Sequence, residues 1–319
     1  MDATIARHLF IVAGLLGTAL SACTTPVDCQ NNGDCVANSC LCDPGWTGSQ
    51  CSSLKEGRSW VLWPQTEAQP ITAGWGASIL QGGDGLFHMY ATVVNQMAPN
   101  GTYMTCYHTQ ATQVVHATAA NVFGPYEFSD IAIGPEANCP HVVRTGPAGI
   151  AIFHNNDNAV ELPLLSCTGT GIDGGCEQKT GSATPCGTPG VGTVAVALAA
   201  GPEGPWDVAY PLCDIGEVFN TISNPSAYIA ADGSVLLALR YFAPPLLNST
   251  REAIAVLAAP GPLGPYLVLN RDITTVSVED PFVYVNHRGF HMLAHQCGWG
   301  NCCGPHTSLP HLRAATQRR

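Results

Sequence analysis

Eight residues of this chain combine a reactive or recognising side chain with a recurring position. Asp280 stands in Glu279-Asp280-Pro281 at the opening of an apolar run, Glu136 precedes a second such run and Glu217 a third. Two carboxyl groups can divide acid and base roles, one protonating a leaving group while the other activates water or attacks. His154, Arg240 and His295 recur at the ends of later apolar runs, and His141 lies near the start of one. Together with Asp280 and Trp75 they suit a polyhydroxylated or acidic sugar, because Arg can hold a carboxylate through two parallel bonds. Asp84 and Asp232 sit in Asp-Gly turns and read as turn formers. The chain has no Gly-x-Ser-x-Gly elbow, no His-Glu-x-x-His pair and no phosphate loop, so serine-hydrolase, zincin and nucleotide chemistry lack support.

The elements that must carry these residues form a diverged repeat. Four segments share one plan: "WGASILQGGDGLFHMYATVV" from Trp75, "CPHVVRTGPAGIAIFHNN" from Cys139, "NPSAYIAADGSVLLALRY" from Asn224 and "DPFVYVNHRGFHMLAHQ" from Asp280. Each is an apolar run, a turn containing Gly and a second apolar run, which is the pattern of a β-hairpin. Three of them are followed by a matching half, "QVVHATAANVFGPYEF", "TVAVALAAGPEGPWDV" and "AIAVLAAPGPLGPYLV", in which a strand, a Gly-Pro turn and an aromatic residue (Tyr126, Trp206, Tyr266) succeed one another. Val194 to Leu198 alternate large and small residues, as in a strand packed between sheets. Four strands per unit describe a β-propeller blade. The equivalent openings Gly76, Cys139, Asn224 and Asp280 are 63, 85 and 56 residues apart, and the long second unit carries an insertion with Cys167, Cys176 and Cys186.

The chain has 319 residues, with 12 Lys and Arg against 23 Asp and Glu, a net charge of −11 and only two lysines, Lys55 and Lys179. That balance excludes nucleic acid, which needs clustered cations to displace counterions, and disfavours an anionic membrane surface. Hydrophobic residues at 46% exclude disorder, and 34 Gly with 24 Pro suit short strands and tight turns. Fifteen cysteines imply an oxidising compartment. Arg7 and His8, an apolar run over residues 9–20 and small residues at Ser21 and Ala22 read as a secretory signal peptide over residues 1–22. The run is too short to span a bilayer comfortably, so no membrane span is expected. Leu20-Ser21-Ala22-Cys23 also has the form of a bacterial lipoprotein box, which leaves lipid anchoring through Cys23 as the alternative to secretion. Asn100 and Asn248 open N-x-[ST] glycosylation acceptors.

Residues 23–51 hold six cysteines, Cys23, Cys29, Cys35, Cys40, Cys42 and Cys51, with turn signals at Asn31-Asn32-Gly33 and Asp43-Pro44-Gly45-Trp46-Thr47-Gly48. So many cysteines in so short a segment leave little room for an apolar core, and spacing alone leaves fifteen pairings open. The stretch "CQNNGDCVANSCLCDPGWTGSQC" resembles an EGF-like domain, through its C-x-C step and the Pro-Gly-aromatic-x-Gly turn before the last cysteine. The resemblance implies the pairs Cys23 with Cys35, Cys29 with Cys40 and Cys42 with Cys51. Calcium-binding members carry acids before the first cysteine; residues 19–22 have none, so no calcium is expected. Such a module serves either as a spacer or as a surface for a protein partner.

The openings "NPSAYIAADGSVLLALRY" and "EDPFVYVNHRGFHMLAHQ" resemble the five-bladed β-propeller glycosidases, the arabinanase, β-xylosidase and invertase group, over about residues 60–296. The resemblance implies carboxylates projecting from inner strands into a central funnel, with Asp280 matching the group's Asp-Pro motif as base or nucleophile and Glu136 or Glu217 as acid. The group usually has an aspartate on its first blade, where this chain has Gly76.

The expectation is therefore an all-β chain. A signal peptide (1–22) precedes an EGF-like module (23–52), a five-bladed or truncated β-propeller (58–297) and an irregular tail (298–319). The tail carries Cys297, Cys302 and Cys303, and it lacks the Gly-Pro-aromatic half that would complete the fourth unit. No cofactor and no metal are expected, a zinc site at Cys302, Cys303 and His306 being disfavoured by the tendency of secreted cysteines to pair. The expected function is to act on or bind a glycan or polysaccharide, the alternative being non-catalytic adhesion or glycan recognition.

Overall fold

The computed structural model describes residues 22–55, 73–94, 112–134, 137–146, 149–156, 193–207, 210–212, 222–246, 249–274, 276–296 and 311–317. The chain divides into two compact units, Met1–Ser59 and Trp60–Arg319. The described residues are all-β apart from one turn of 3-10 helix, Pro26–Cys29. None of them forms a helix long and apolar enough to cross a membrane.

The first unit holds two small ladders, β1 (Gly33–Val36) with β2 (Ser39–Cys42) and β3 (Trp46–Thr47) with β4 (Ser53–Leu54). Disulfides join Cys23 to Cys35, Cys29 to Cys40 and Cys42 to Cys51. Cys23 is thus bonded to a cysteine and is not free to carry lipid. Cys23, Cys29 and Cys51 fill the interior with Trp46, so the bridges stand where a larger domain would place a core.

The second unit is a series of antiparallel sheets. Blade I is β5 (Ala73–Gln81), β6 (Phe87–Val94), β7 (Thr112–Ala119) and β8 (Glu127–Ile133). Blade II is β9 (Ala137–Arg144), β10 (Ile150–Asn156), β11 (Thr193–Ala199) and β12 (Tyr210–Pro211). Blade III is β13 (Ile222–Ile229), β14 (Val235–Leu246), β15 (Ser249–Ala259) and β16 (Leu267–Asn270). Blade IV is β17 (Val278–Asn286), β18 (Gly289–Gln296) and β19 (His311–Gln317). The last strand corrects the expectation of an irregular tail over residues 311–317, which pair antiparallel with Phe290–Gln296 of β18. The pattern Leu-Arg-Ala-Ala-Thr alternates too weakly to announce a strand, and β18 supplies the ladder partner that makes it one.

Local chemistry explains the hairpins. Asp84 accepts the Leu86 N–H, Asp232 the Ser234 N–H and Asn286 the Arg288 N–H, so each turn is closed by a side chain two residues back. The blades stack in sequence order. Ile150 and Ile152 of β10 pack against Tyr90 and Val114 of blade I, while Ala151 and Phe153 pack into blade III. Ala238 and Ile254 of blade III meet Val278, Val283 and Met292 of blade IV. Successive side chains on a strand point to opposite faces, so a sheet buried on both sides reads as one apolar run.

The inner strands β5, β9, β13 and β17 lie side by side. They are fastened across blades by a repeated bond. The Ser78 hydroxyl accepts the Val142 N–H at 3.1 Å, and the Ser226 hydroxyl accepts the Val283 N–H at 2.9 Å. At the corresponding place in blade II the His141 ring contributes Nε2, which lies 3.0 Å from the Ala227 carbonyl oxygen. Ser226 is fully buried and also lies 3.4 Å from His141 Nδ1. Ser226→Ala should therefore orphan a buried N–H and lower stability by about 1–3 kcal/mol, read as a fall in the denaturant midpoint with an unchanged slope.

Candidate functional site

Each inner strand carries a β-bulge near its start, and one residue of each bulge has a left-handed backbone: Gly76 (φ 53°), Cys139 (φ 50°), Asn224 (φ 50°) and Asp280 (φ 51°). Glycine and asparagine tolerate that conformation, whereas cysteine rarely adopts it. A bulge turns its residue out of the ladder and re-aims the side chain. The four residues form one row: the Gly76 Cα faces Cys139, and Asn224 Nδ2 donates to Asp280 Oδ1. Asp280 is exposed, and Cys139 and Asn224 are half-buried.

The residues flanking the bulges are paired within each blade. Directly before each bulge the register matches Trp75 with Thr92, Asn138 with Asn155, Ser223 with Arg240 and Glu279 with His295. In three blades the pair is bonded: Asn155 Nδ2 donates to Asn138 Oδ1 at 2.7 Å, Arg240 Nε to Ser223 Oγ at 2.7 Å, and His295 Nδ1 lies 3.4 Å from Glu279 Oε1. The second member then reaches the next blade. Thr92 Oγ1 accepts the Cys139 N–H at 2.8 Å, Asn155 Oδ1 accepts the Asn224 N–H at 2.8 Å, and Arg240 Nη1 meets Glu279 Oε2 at 3.2 Å.

This register corrects three of the sequence-based assignments. His154 is one residue out of step. The equivalent of Arg240 and His295 is Asn155, and a shift of one residue moves a side chain to the other face of the sheet. His154 accordingly lies on the face of Ile150 and Ile152, fully buried, with Nδ1 donating to the Asn155 carbonyl at 2.8 Å. His141 is buried between blades II and III and serves as the fastener described above, not as a sugar ligand. Arg240 is not a free anion receptor. Its Nη1 is held by Glu279 and by the fully buried Glu252, each at 3.2 Å, and its Nε by Ser223.

Trp75 is half-buried in the row, with Nε1 3.3 Å from Cys139 Sγ. His295 belongs to the site through Glu279. Glu136 and Glu217 lie outside the described residues, as do Asn100, Asn248 and residues 1–21. Glu279 and Glu252 are the acidic residues that sequence reasoning passed over. Glu279 was visible as the neighbour of Asp280, but Glu252 lies in a third strand with no turn or motif beside it. Burial, and then the adjacent Asp280, push the Glu279 carboxyl above the usual carboxylate range, while Arg240 and His295 pull it back. Glu279, Asp280 and His295 offer ligand atoms within 4.8 Å of one another, enough to hold a cation.

Comparison with known proteins adds the following. The family of Teneurin-like EGF domains matches residues 25–53. No curated protein sequence matches the chain. Among solved structures, a family 117 glycoside hydrolase of the marine bacterium Zobellia galactanivorans superposes with a TM-score of 0.54 at 13% identity, over 81% of this chain and 71% of that one. An endo-arabinase from Bacteroides thetaiotaomicron gives 0.51 at 12% identity, over 84% and 80%. A protein of unknown function from Dyadobacter fermentans gives 0.51 at 13%, over 70% and 62%. At these identities the likeness is one of fold. The chain is an EGF-like module followed by a β-propeller built like those of the propeller glycosidases.

His141 and His154 generate a prediction. Burial pushes both down from 6.5 to about 4, against the opposing effect of their backbone partners. The unfolded chain takes up protons near pH 6.5 that the folded chain refuses until about pH 4. These two groups leave stability flat above that window and lower it as pH falls through it. Denaturant midpoints measured from about pH 8 to about pH 4 should show the fall, and His141→Gln should reduce its slope.

Proposed function

We propose that the propeller unit recognises a glycan at the row of bulge residues and does not hydrolyse it. The observation that carries this reading is the composition of the row: of Gly76, Cys139, Asn224 and Asp280, one residue has a carboxyl group. Glycoside hydrolysis of the usual kind needs two, on opposite sides of the scissile bond. Glu279 does not supply the second. It sits on the strand of Asp280, so both would approach a sugar from one side, and it is tied to Arg240 and His295.

What the row does offer is recognition chemistry. Asp280 is an exposed acceptor, the Asn224 amide both donates and accepts, and Trp75 brings a half-buried aromatic side chain. Sugar hydroxyls are bound by such mixed donors and acceptors beside an aromatic surface. The propeller's likeness to an endo-arabinase makes arabinan the first ligand to try. In this reading the protein works outside the cell. The disulfide module and the signal-like sequence of residues 1–22 support that placement, with the module serving as a spacer or as a surface for a protein partner.

The test uses the full chain on arabinan and on an array of polysaccharides. The expected result is retention of at least one glycan, no reducing sugar released above the blank, and binding about tenfold or more weaker in Asp280→Asn. Asp280 is exposed, so that variant should melt like the parent. Release of reducing sugar that Asp280→Asn abolishes would establish a hydrolase, with its acid to be sought at Glu136 or Glu217. Failure to retain any glycan overturns the recognition reading.

A further inference from the structure

Away from the bulge row, at the opposite end of β6 from Thr92, two buried histidines face each other inside a set of carboxylates. His88 of β6 and His116 of β7 are both fully buried, and His88 Nδ1 lies 2.9 Å from His116 Nε2. The outer nitrogen of each ring faces its own acid. His88 Nε2 is 3.3 Å from Asp84 Oδ1, and His116 Nδ1 is 3.6 Å from Asp130 Oδ1. A third acid, Glu203, arrives from the turn after β11 in blade II, with Oε1 3.6 Å from His88 Nδ1 and Oε2 3.9 Å from His116 Nδ1.

The placement is built. Tyr90 stacks on His116 with centroids 5.0 Å apart, and its hydroxyl donates to the Pro202 carbonyl at 2.6 Å, which pins the Glu203 turn to blade I. Trp206 meets the Tyr90 ring edge-on from the other side of that turn. Gly82 leaves the space that Asp84 and His88 occupy: a Cβ there would lie 2.3 Å from Asp84 Oδ1 and 2.5 Å from His88 Nε2.

Proton counting shows what the cluster lacks. The pair carries two N–H groups on four nitrogens when both imidazoles are neutral, and three when one is protonated. If one proton bridges the rings and the other meets Asp84, His116 Nδ1 faces the Asp130 carboxylate with a lone pair. Among the described residues it is a buried nitrogen without a hydrogen bond. A cation beside the two inner nitrogens removes the conflict once the rings turn out of the nearly in-line 2.9 Å contact they make here. Both inner nitrogens then give their lone pairs to the ion, and both outer N–H groups donate to Asp84 and Asp130. This is the carboxylate–histidine–metal arrangement, in which an outer carboxylate fixes the tautomer and strengthens the ligand.

We propose that His88, His116 and Glu203 form a binding site for a divalent transition-metal ion of the zinc type, clamping blade I to blade II. One ligand atom from each lies within 4.8 Å of the others. Two imidazoles and a carboxylate are a donor set that zinc accepts at about 2.0–2.2 Å, with one position left for water. Imidazole nitrogen also selects zinc, cobalt and nickel over calcium and magnesium. The site is separate from the glycan reading and stands without it. It also revises Asp84, which closes its turn and orients a ligand with the same oxygen.

The experiment uses the full, disulfide-bonded chain, stripped with a chelator and titrated with Zn²⁺ or Co²⁺. Expected are one ion per chain after desalting, a rise in melting temperature with metal concentration, and visible Co²⁺ bands of a four-coordinate site. Removing a buried histidine endangers folding, so the informative variants are exposed. Glu203→Gln, which deletes a ligand, should weaken binding at least tenfold. Asp130→Asn, which deletes an orienting carboxylate, should weaken it about 10–100-fold. No stoichiometric binding, or binding that Glu203→Gln leaves unchanged, overturns the site.

Discussion

The propeller unit depends on its middle sheets being covered on both faces. A strand in such a sheet has no solvent side on which to place polar groups, and every second residue must fit one neighbour while the alternate residues fit the other. Blade II shows the result: Ile150 and Ile152 belong to its contact with blade I, Ala151 and Phe153 to its contact with blade III. Polar side chains survive where they bond across the gap. Ser78, His141 and Ser226 do this in the inner strands, and Thr92, Asn155 and Arg240 do it beside the bulges. The polar groups around the candidate site are thus first of all the joints of the fold. What remains for a ligand is the bulge row, turned out of the ladder and half or wholly open.

That dual use separates what the sequence disclosed from what it did not. The hairpins were legible because turn chemistry is local. Asp-Gly and Gly-Pro pairs mark chain reversals by themselves, and the repeat alone aligns Gly76, Cys139, Asn224 and Asp280. Pairing within the EGF-like module came from resemblance, since spacing cannot distinguish connectivities. The faces of the second strands were not legible. His154 and Asn155 are adjacent and both polar, and the choice between them rests on which residue of β9 is bulged. Strand β19 was missed for a related reason, because its place is set by β18 more than by its own residues.

The same limit applies to charge. Arg240 looked like a receptor for an acidic sugar because Glu252 and Glu279, its partners, are 12 and 39 residues away. His141 looked like a ligand because its carbonyl partner belongs to the next blade. Side-chain chemistry can be read from a sequence, but whether that chemistry is already engaged depends on long-range neighbours. Asp280 differs from both: its one described hydrogen-bond partner, Asn224, belongs to the same row, and its side chain is exposed.

The main-chain N–H bonds between blades also have a direction. Thr92, Asn155, Ser78 and Ser226 each receive a main-chain N–H from the blade that follows, so these donors sit on the later blade and the acceptors on the earlier one. A blade emerging from the ribosome finds the acceptors for its buried amides already in place on the blade before it. At these four joints the earlier blade holds hydroxyl and amide groups, which water can satisfy while it waits, whereas His141 and Arg240 donate in the opposite sense. Assembly can therefore follow the order of synthesis without leaving a main-chain donor stranded at each step, and the polarity of the joints gives this stack of sheets a natural beginning.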